Sequence, residues 1–196
     1  EKIIERIVSW LKDYAEKAGV KGYVIGVSGG VDSGVVSTLC AMTGLKVLAL
    51  EMPIRQQKDQ ASRALEHIDF LKNKFPNVEG FTVDLNEPFE ALYKTFDVKD
   101  DEFPAEKLAF ANTRSRLRML TLYYYGQING LLVCGTGNKV EDFGIGFYTK
   151  YGDGGVDVSP IADLYKTEVY ALARALDLPE SIKNAIPTDG LWDVDR

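Results

Sequence analysis

The sequence predicts an α/β fold, an open and mostly parallel sheet of about five strands with helices on both faces. Three observations carry this. Short apolar runs alternate with stretches of helical periodicity, a glycine-rich turn stands where the first apolar run gives way to a helix, and 196 residues with 45% hydrophobic content suffice for one core.

The elements follow in order. Ile3, Ile4, Ile7, Val8 and Leu11 share one face of a helix from Ile3 to Lys17, which Gly19 stops. The first strand is Gly22 to Val27, followed by a helix from Ser33 to Met42 and a second strand from Lys46 to Leu50. A helical pattern from Gln57 to Lys74 precedes a weaker strand around Phe81 to Leu85. A helix around Pro88 to Thr95, a charged interruption at Asp97 to Glu102 and a helix from Glu106 to Gln127 lead to the strand Leu131 to Cys134. The last helix runs from Lys166 to Leu176 and ends before Pro179. No repeat or Pro/Ser-rich linker divides the chain, so residues 1–196 read as one domain. Tyr123, Tyr124 and Tyr125, with Leu117, Leu120 and Leu122 around them, read as a buried packing face. Cys40 and Cys134 lack metal-type spacing and read as buried small apolar residues. His67, the single histidine, reads as a surface or partly buried structural residue.

A formal charge of -6 and a pI near 4.9 argue against a chain built to coat nucleic acid. No run of about 18 apolar residues and no signal-peptide pattern is visible, so the expectation is a cytoplasmic protein without a membrane partner.

The turn after the first strand reads Gly26, Val27, Ser28, Gly29, Gly30, Val31, Asp32, Ser33. Glycines remove Cβ atoms and let backbone N–H groups converge at the positive end of a helix, so an anion is the natural guest. Ser28 and Ser33 add hydroxyl donors. Asp32, a carboxylate beside a phosphate, makes sense with a divalent cation such as Mg2+ between them. The loop lacks the Gly-Lys-Ser/Thr ending of a Walker site and the third glycine of a dinucleotide fingerprint. It resembles the Ser-Gly-Gly-x-Asp-Ser loop of the ATP pyrophosphatases, which cleave ATP between its α- and β-phosphates.

In open sheets ligands collect at the carboxyl ends of strands, and the fourth strand here is followed by residues 135–142 and the glycine-rich stretch 144–157. So many glycines with Lys150, Asp153 and Asp157 describe a ligand-shaping loop. Phe147 to Gly155, read together with Ser28 to Ser33, resembles the NAD synthetase family, and the likeness continues through Arg116 to Met119, Gly135, Thr136, Glu141, Lys166, Pro187 and Thr188.

That resemblance implies a Rossmann-like adenine nucleotide alpha-hydrolase fold, ATP as co-substrate and deamido-NAD and ammonia as partners in a two-step amidation. The nicotinate carboxylate would attack the α-phosphorus of ATP, and ammonia would then displace AMP from the acyl adenylate. By the same resemblance Asp32 and Glu141 are Mg2+ ligands, and residues 26–33, Thr136, Lys166 and Thr188 bind ATP. Arg116, Lys150 and Asp157 would hold deamido-NAD, and the catalytic roles fall to Asp32, Lys166 and Asp153. Asp153 would either order the glycine loop or assist the amine. The family resemblance also implies a homodimer. Family members usually carry a further C-terminal segment, which is expected to be missing here, and no glutaminase domain fits in 196 residues, so ammonia is expected as the direct donor. The alternatives are another amidating ATP pyrophosphatase, of guanylate or argininosuccinate type, and a nucleotide-binding module without turnover.

Overall fold

Alternation along the two central strands builds a sheet that is buried on both faces. In β1 (Gly22–Gly26) Tyr23 and Ile25 point to one side and Val24 to the other, and in β2 (Lys46–Glu51) Val47 and Ala49 oppose Leu48 and Leu50. The computed structural model describes residues 2–56, 58–96 and 104–185, with the backbone only at Lys58. With β3 (Val78–Thr82) and β4 (Leu131–Val133) the sheet has the order β3-β2-β1-β4, and all neighbours run parallel. On one face pack α1 (Lys2–Ala18), α2 (Val31–Met42), α3 (Lys58–Lys74), α6 (Lys166–Ala175) and the short α7 (Glu180–Lys183). On the other lie α4 (Asn86–Thr95) and α5 (Pro104–Asn129), joined to the sheet through Phe89, Phe110, Leu117 and Leu122. The strand order reverses between β1 and β4, which puts a crevice at their carboxyl ends.

The expected fold class stands, with four strands rather than about five among the described residues. Beyond β4 the sheet continues only as a single parallel bridge between Cys134 and Val158 among the described residues. A side chain accounts for its shortness: the Asp157 carboxylate accepts the Val133 N–H at 2.7 Å, where a strand would offer a carbonyl. The third strand lies three residues earlier than the pattern suggests. Gly80 is the reason, since a Cβ there would come within 2.6 Å of Ile68 on α3 and 3.0 Å of the Ala49 carbonyl, so close packing demands the residue that weakens the sequence signal.

The tyrosine run is not a buried face. Tyr124 is 59% exposed and Tyr123 lies at the surface, because successive helical residues point about 100° apart and α5 turns Leu122, Tyr125 and Gly126 toward the sheet. Leu120, Tyr124 and Ile128, spaced four residues apart, remain exposed along one side of α5, and Leu108 is exposed nearer its start. The interruption at 97–103 lies outside the described residues. Cys40 and Cys134 are buried, as expected, as free thiols 3.5 Å apart. His67 is wholly buried rather than partly so. Its Nε2 lies 2.9 Å from Ser37 Oγ, whose own proton goes to the Ser33 carbonyl at 2.7 Å; Nε2–H is therefore the donor, and Nδ1 is left without a partner. Burial pushes this imidazole down to about 4.

Candidate active site

β1 ends at Gly26 and the chain turns through residues 27–30 into α2, with the turn held by its own hydroxyls. Ser33 Oγ donates to the Gly30 carbonyl at 3.0 Å and accepts the Ser28 N–H at 3.2 Å. Ser28 Oγ lies 3.1 Å from Ser33 Oγ and accepts the Gly30 N–H at 3.3 Å. Gly29 has φ +81, and a Cβ there would come within 2.8 Å of the Gln60 carbonyl on α3. Both the backbone angle and the packing require glycine. Gly30 caps α2 with no side-chain hydrogen bond, leaving the first-turn amides to an external anion.

This turn opens on a cavity of about 490 Å3 that also reaches the ends of β2 and β4, α3, α5 and α6. Three charged residues from distant segments meet in its wall. Lys166, the first residue of α6, directs Nζ to Asp32 Oδ2 and to Glu141 Oε1, the second at 3.1 Å. Burial alone would lower the Lys166 ammonium, but the hydrogen bond and charge of Asp32, then of Glu141, outweigh it and hold it above its ordinary value. A cation at the first turn of a helix opposes the macrodipole, and the two carboxylates supply the compensation. Glu141 sits on a π-helical turn, Val140–Ile145, that the periodicity did not reveal. Asn138 anchors it: Nδ2 donates to Asp32 Oδ1 at 3.0 Å, while Oδ1 accepts the N–H groups of Val140 and Glu141 at 3.1 and 3.2 Å. Asn138 is buried and was not singled out from the sequence. Its signal was only its place in the polar run after β4. Next to it, burial, then Glu141, Asp153 and Asp32, raise the Asp142 carboxyl above the usual range.

Asp153 holds the glycine loop to α5. Its Oδ1 accepts Ser115 Oγ at 2.7 Å and the Thr149 N–H at 2.9 Å, and its own N–H donates to Ser115 Oγ at 2.8 Å. Gly152 permits this approach, since a Cβ would fall 2.3 Å from Ser115 Oγ. Thr149 Oγ1 adds a bond to Asn112 Oδ1 at 2.7 Å. Ordering of the loop is therefore visible in the contacts, and Asp153 also faces the cavity.

Of the residues expected at the site, Gly26 to Ser33, Thr136, Glu141, Asp153 and Lys166 all line this cavity. Arg116, Lys150 and Asp157 do not; Arg116 is on α5, and Lys150 and Asp157 lie against it. Arg116 is exposed and donates from Nε to the Lys150 carbonyl at 3.2 Å, and the Lys150 ammonium stands over the Tyr151 ring at 5.0 Å. Asp157 is engaged by the Val133 N–H and by the Tyr123 hydroxyl at 3.0 Å; burial and this carboxylate push the Tyr123 phenol up to about 12. Thr188 lies outside the described residues. The cavity adds two arginines to the expected set. Arg118 on α5 donates from Nε to the Met52 carbonyl at 3.0 Å and from Nη2 to Gln56 at 3.4 Å, tying α5 to the loop after β2. Burial, then the nearby Arg114 charge, lowers its guanidinium to about 10, so it stays cationic at neutral pH. Arg63 on α3 faces the same space.

The sequence model of the family described as NAD synthase matches residues 3–195. The chain belongs to the NAD synthase family. An NH(3)-dependent NAD(+) synthetase of Finegoldia magna is 39% identical over 193 residues, covering 98% of this chain and 76% of that protein. The fold is similar to the NMN synthetase of Francisella tularensis, with TM-score 0.87 and 35% identity over 97% of this chain and 76% of the other. It is also similar to the NH3-dependent NAD synthetase of Campylobacter jejuni, with TM-score 0.81 and 34% identity over 93% of this chain and 75% of the other. Membership in this family accounts for the glycine loop after β4, which the guanylate and argininosuccinate alternatives leave unexplained. No helix among the described residues is long and apolar enough to cross a membrane.

Proposed function

We propose that the chain is a carbon–nitrogen ligase that amidates deamido-NAD to NAD at the expense of ATP, with free ammonia as nitrogen donor and Mg2+ on the phosphates. The observation that carries it is the convergence of Asp32, Glu141 and Lys166, separated by up to 134 positions, beside an uncapped helix N-terminus.

The pair of carboxylates fits a metal ion. Both already grip one cation, the Lys166 ammonium, so a single point lies within reach of each. Among the described residues no three acidic, histidine or cysteine side chains form a metal cage. Such a two-carboxylate site suits Mg2+ that completes its shell with substrate phosphate and water. When bound, Mg2+ would neutralise phosphate oxygens and help hold the triphosphate in line.

The chain's own residues divide the remaining work. The amides at the start of α2, with Ser28 and Ser33, take the phosphate tail, and Lys166 supplies a positive charge beside it. The nicotinate carboxylate oxygen bonds to the α-phosphorus while the bond to the bridging β-phosphate oxygen breaks and pyrophosphate leaves. Ammonia then attacks the acyl carbon, AMP leaves with the former carboxylate oxygen, and a proton is lost to give the amide. Asp153 keeps the glycine loop closed over the reacting carboxyl. Thr136 and Thr188 are assigned to the nucleotide, and Arg116 on α5, with Lys150 and Asp157, is assigned to the dinucleotide.

The reading takes the enzyme to be a cytoplasmic homodimer. The exposed Leu120, Tyr124 and Ile128, on one side of α5, support a partner surface on the helix that carries Arg116. The test is AMP and pyrophosphate release with ATP, Mg2+ and either ammonium or glutamine. Deamido-NAD and nicotinate mononucleotide are offered separately, since one similar structure is an NMN synthetase. Ammonium with deamido-NAD should give the fastest release. Turnover on glutamine alone overturns the donor assignment, faster turnover on the mononucleotide overturns the substrate assignment, and no substrate-dependent release favours a module without turnover.

A further inference from the structure

We infer that Arg63, on α3, is a binding residue for the β- and γ-phosphates of ATP and for the pyrophosphate that leaves, acting from beside Gly29 of the loop. The inference rests on the ATP reading above.

Three observations place it. The phosphate loop leans on the turn of α3 that carries Arg63, since a Cβ on Gly29 would come within 3.2 Å of Arg63 Cβ and 2.8 Å of the Gln60 carbonyl. Arg63 also lines the same cavity as residues 26–33 and Lys166. And its guanidinium is uncommitted: Nε is closed off from solvent with no hydrogen-bond partner, and no carboxylate pairs with it among the described residues. Arg118, the other guanidinium of this wall, differs because its donors already serve Met52 and Gln56.

Charge balance gives the uncommitted arginine a purpose. Lys166, the cation at the Asp32 end of the cavity, is shared between Asp32 and Glu141, so that end carries more negative than positive charge before any phosphate enters, and Arg118 is held at the loop after β2 by Met52 and Gln56. A polyphosphate approaching the loop needs positive charge from another direction. A guanidinium beside Gly29 supplies it, with a planar fork of N–H donors that matches phosphate oxygens. As the bond to the α-phosphate breaks, negative charge accumulates on the departing pyrophosphate, and an arginine in contact with it favours that step. AMP has no β- or γ-phosphate, so this contact should be invisible to it.

The test is calorimetric titration of the whole chain with ATP, pyrophosphate and AMP, each with Mg2+, for the native protein, Arg63→Gln and Arg63→Lys, alongside thermal melting of each. Arg63→Gln should weaken ATP and pyrophosphate about 10- to 100-fold and leave AMP within about twofold, with Arg63→Lys between the two. The melting temperature of the free protein should not fall, since the substituted group has no partner to lose. Equal weakening of all three ligands, or a drop in melting temperature that accompanies the affinity loss in both variants, would make Arg63 a structural residue and overturn the inference. Unchanged ATP and pyrophosphate affinity in Arg63→Gln overturns it as well. If the native protein binds neither ATP nor pyrophosphate, the ATP reading itself falls, and this inference with it.

Discussion

Replacing Gly29 by alanine tests whether the phosphate loop is held by packing on α3. The substitution asks an L-residue to keep φ +81 and sets its Cβ 2.8 Å from the Gln60 carbonyl and 3.1 Å from the Ala64 nitrogen. Both neighbours are backbone, so neither can swing away. The left-handed angle costs about 1–2 kcal/mol and the overpacking about 1–3 kcal/mol, for a combined loss of roughly 2–5 kcal/mol. Gly30→Ala is the internal comparison. Its φ of -92 and ψ of 162 suit any residue, and its nearest neighbour, Ser28 Oγ, stands at 3.4 Å, an ordinary contact. It should cost less than about 1 kcal/mol of stability. Urea unfolding followed by circular dichroism reads both values, and ATP titration reads the loop. If Gly29→Ala unfolds at the native midpoint and binds ATP with native affinity, the loop is not locked against α3 and the reasoning fails.

Further outcomes follow from the same structure. Below the ordinary histidine value of 6.5 the unfolded chain takes up a proton that buried His67, held at about 4, refuses, so stability is full above about pH 7 and falls as pH drops. The His67 share of that loss should reach about 3 kcal/mol near pH 4, and His67→Phe should flatten the slope by that amount in pH-dependent unfolding; an unchanged slope would show that the imidazole is not buried neutral. Ser115→Ala removes one support of Asp153 and should lower kcat/KM about tenfold, roughly 1.4 kcal/mol, with faster proteolysis in the glycine loop. If Asp153→Asn is crippled while Ser115→Ala is unaffected in rate and proteolysis, Asp153 acts on the chemistry rather than on the loop. Chelation by EDTA should stop AMP release and added Mg2+ restore it; Asp32→Asn should lose more than about 100-fold in rate at a melting temperature within a few degrees of native. Native rates in EDTA or in Asp32→Asn would remove the metal assignment.

Strand alternation and the first glycine turn made the parallel sheet and its crevice readable, because both patterns are local. The features that escaped are those whose cause lies elsewhere in the chain. β3 shifted because Gly80 answers to Ile68 and Ala49, and no fifth strand forms beyond β4 among the described residues because the Asp157 side chain takes a ladder hydrogen bond. The tyrosine run misled because a cluster of aromatics says nothing about which way each points on a helix. At the site, Asp32, Glu141 and Lys166 were found through motifs, but the reason they work together is tertiary. Asn138 shows this best, since it joins Asp32 to the turn that carries Glu141 across 106 positions of sequence. Arg63 belongs to no motif. Only the packing of α3 against Gly29 brings it to the cavity.

The bond proposed to form in this cavity joins a nicotinate carboxylate to AMP. Oxygen labelling tests it most directly: deamido-NAD carrying 18O in both carboxylate oxygens is turned over with ATP, Mg2+ and ammonium, and the products are weighed by mass spectrometry. One 18O should appear in the AMP phosphate, one should stay in the amide and none should enter pyrophosphate. AMP free of label, or label in inorganic phosphate, would contradict it.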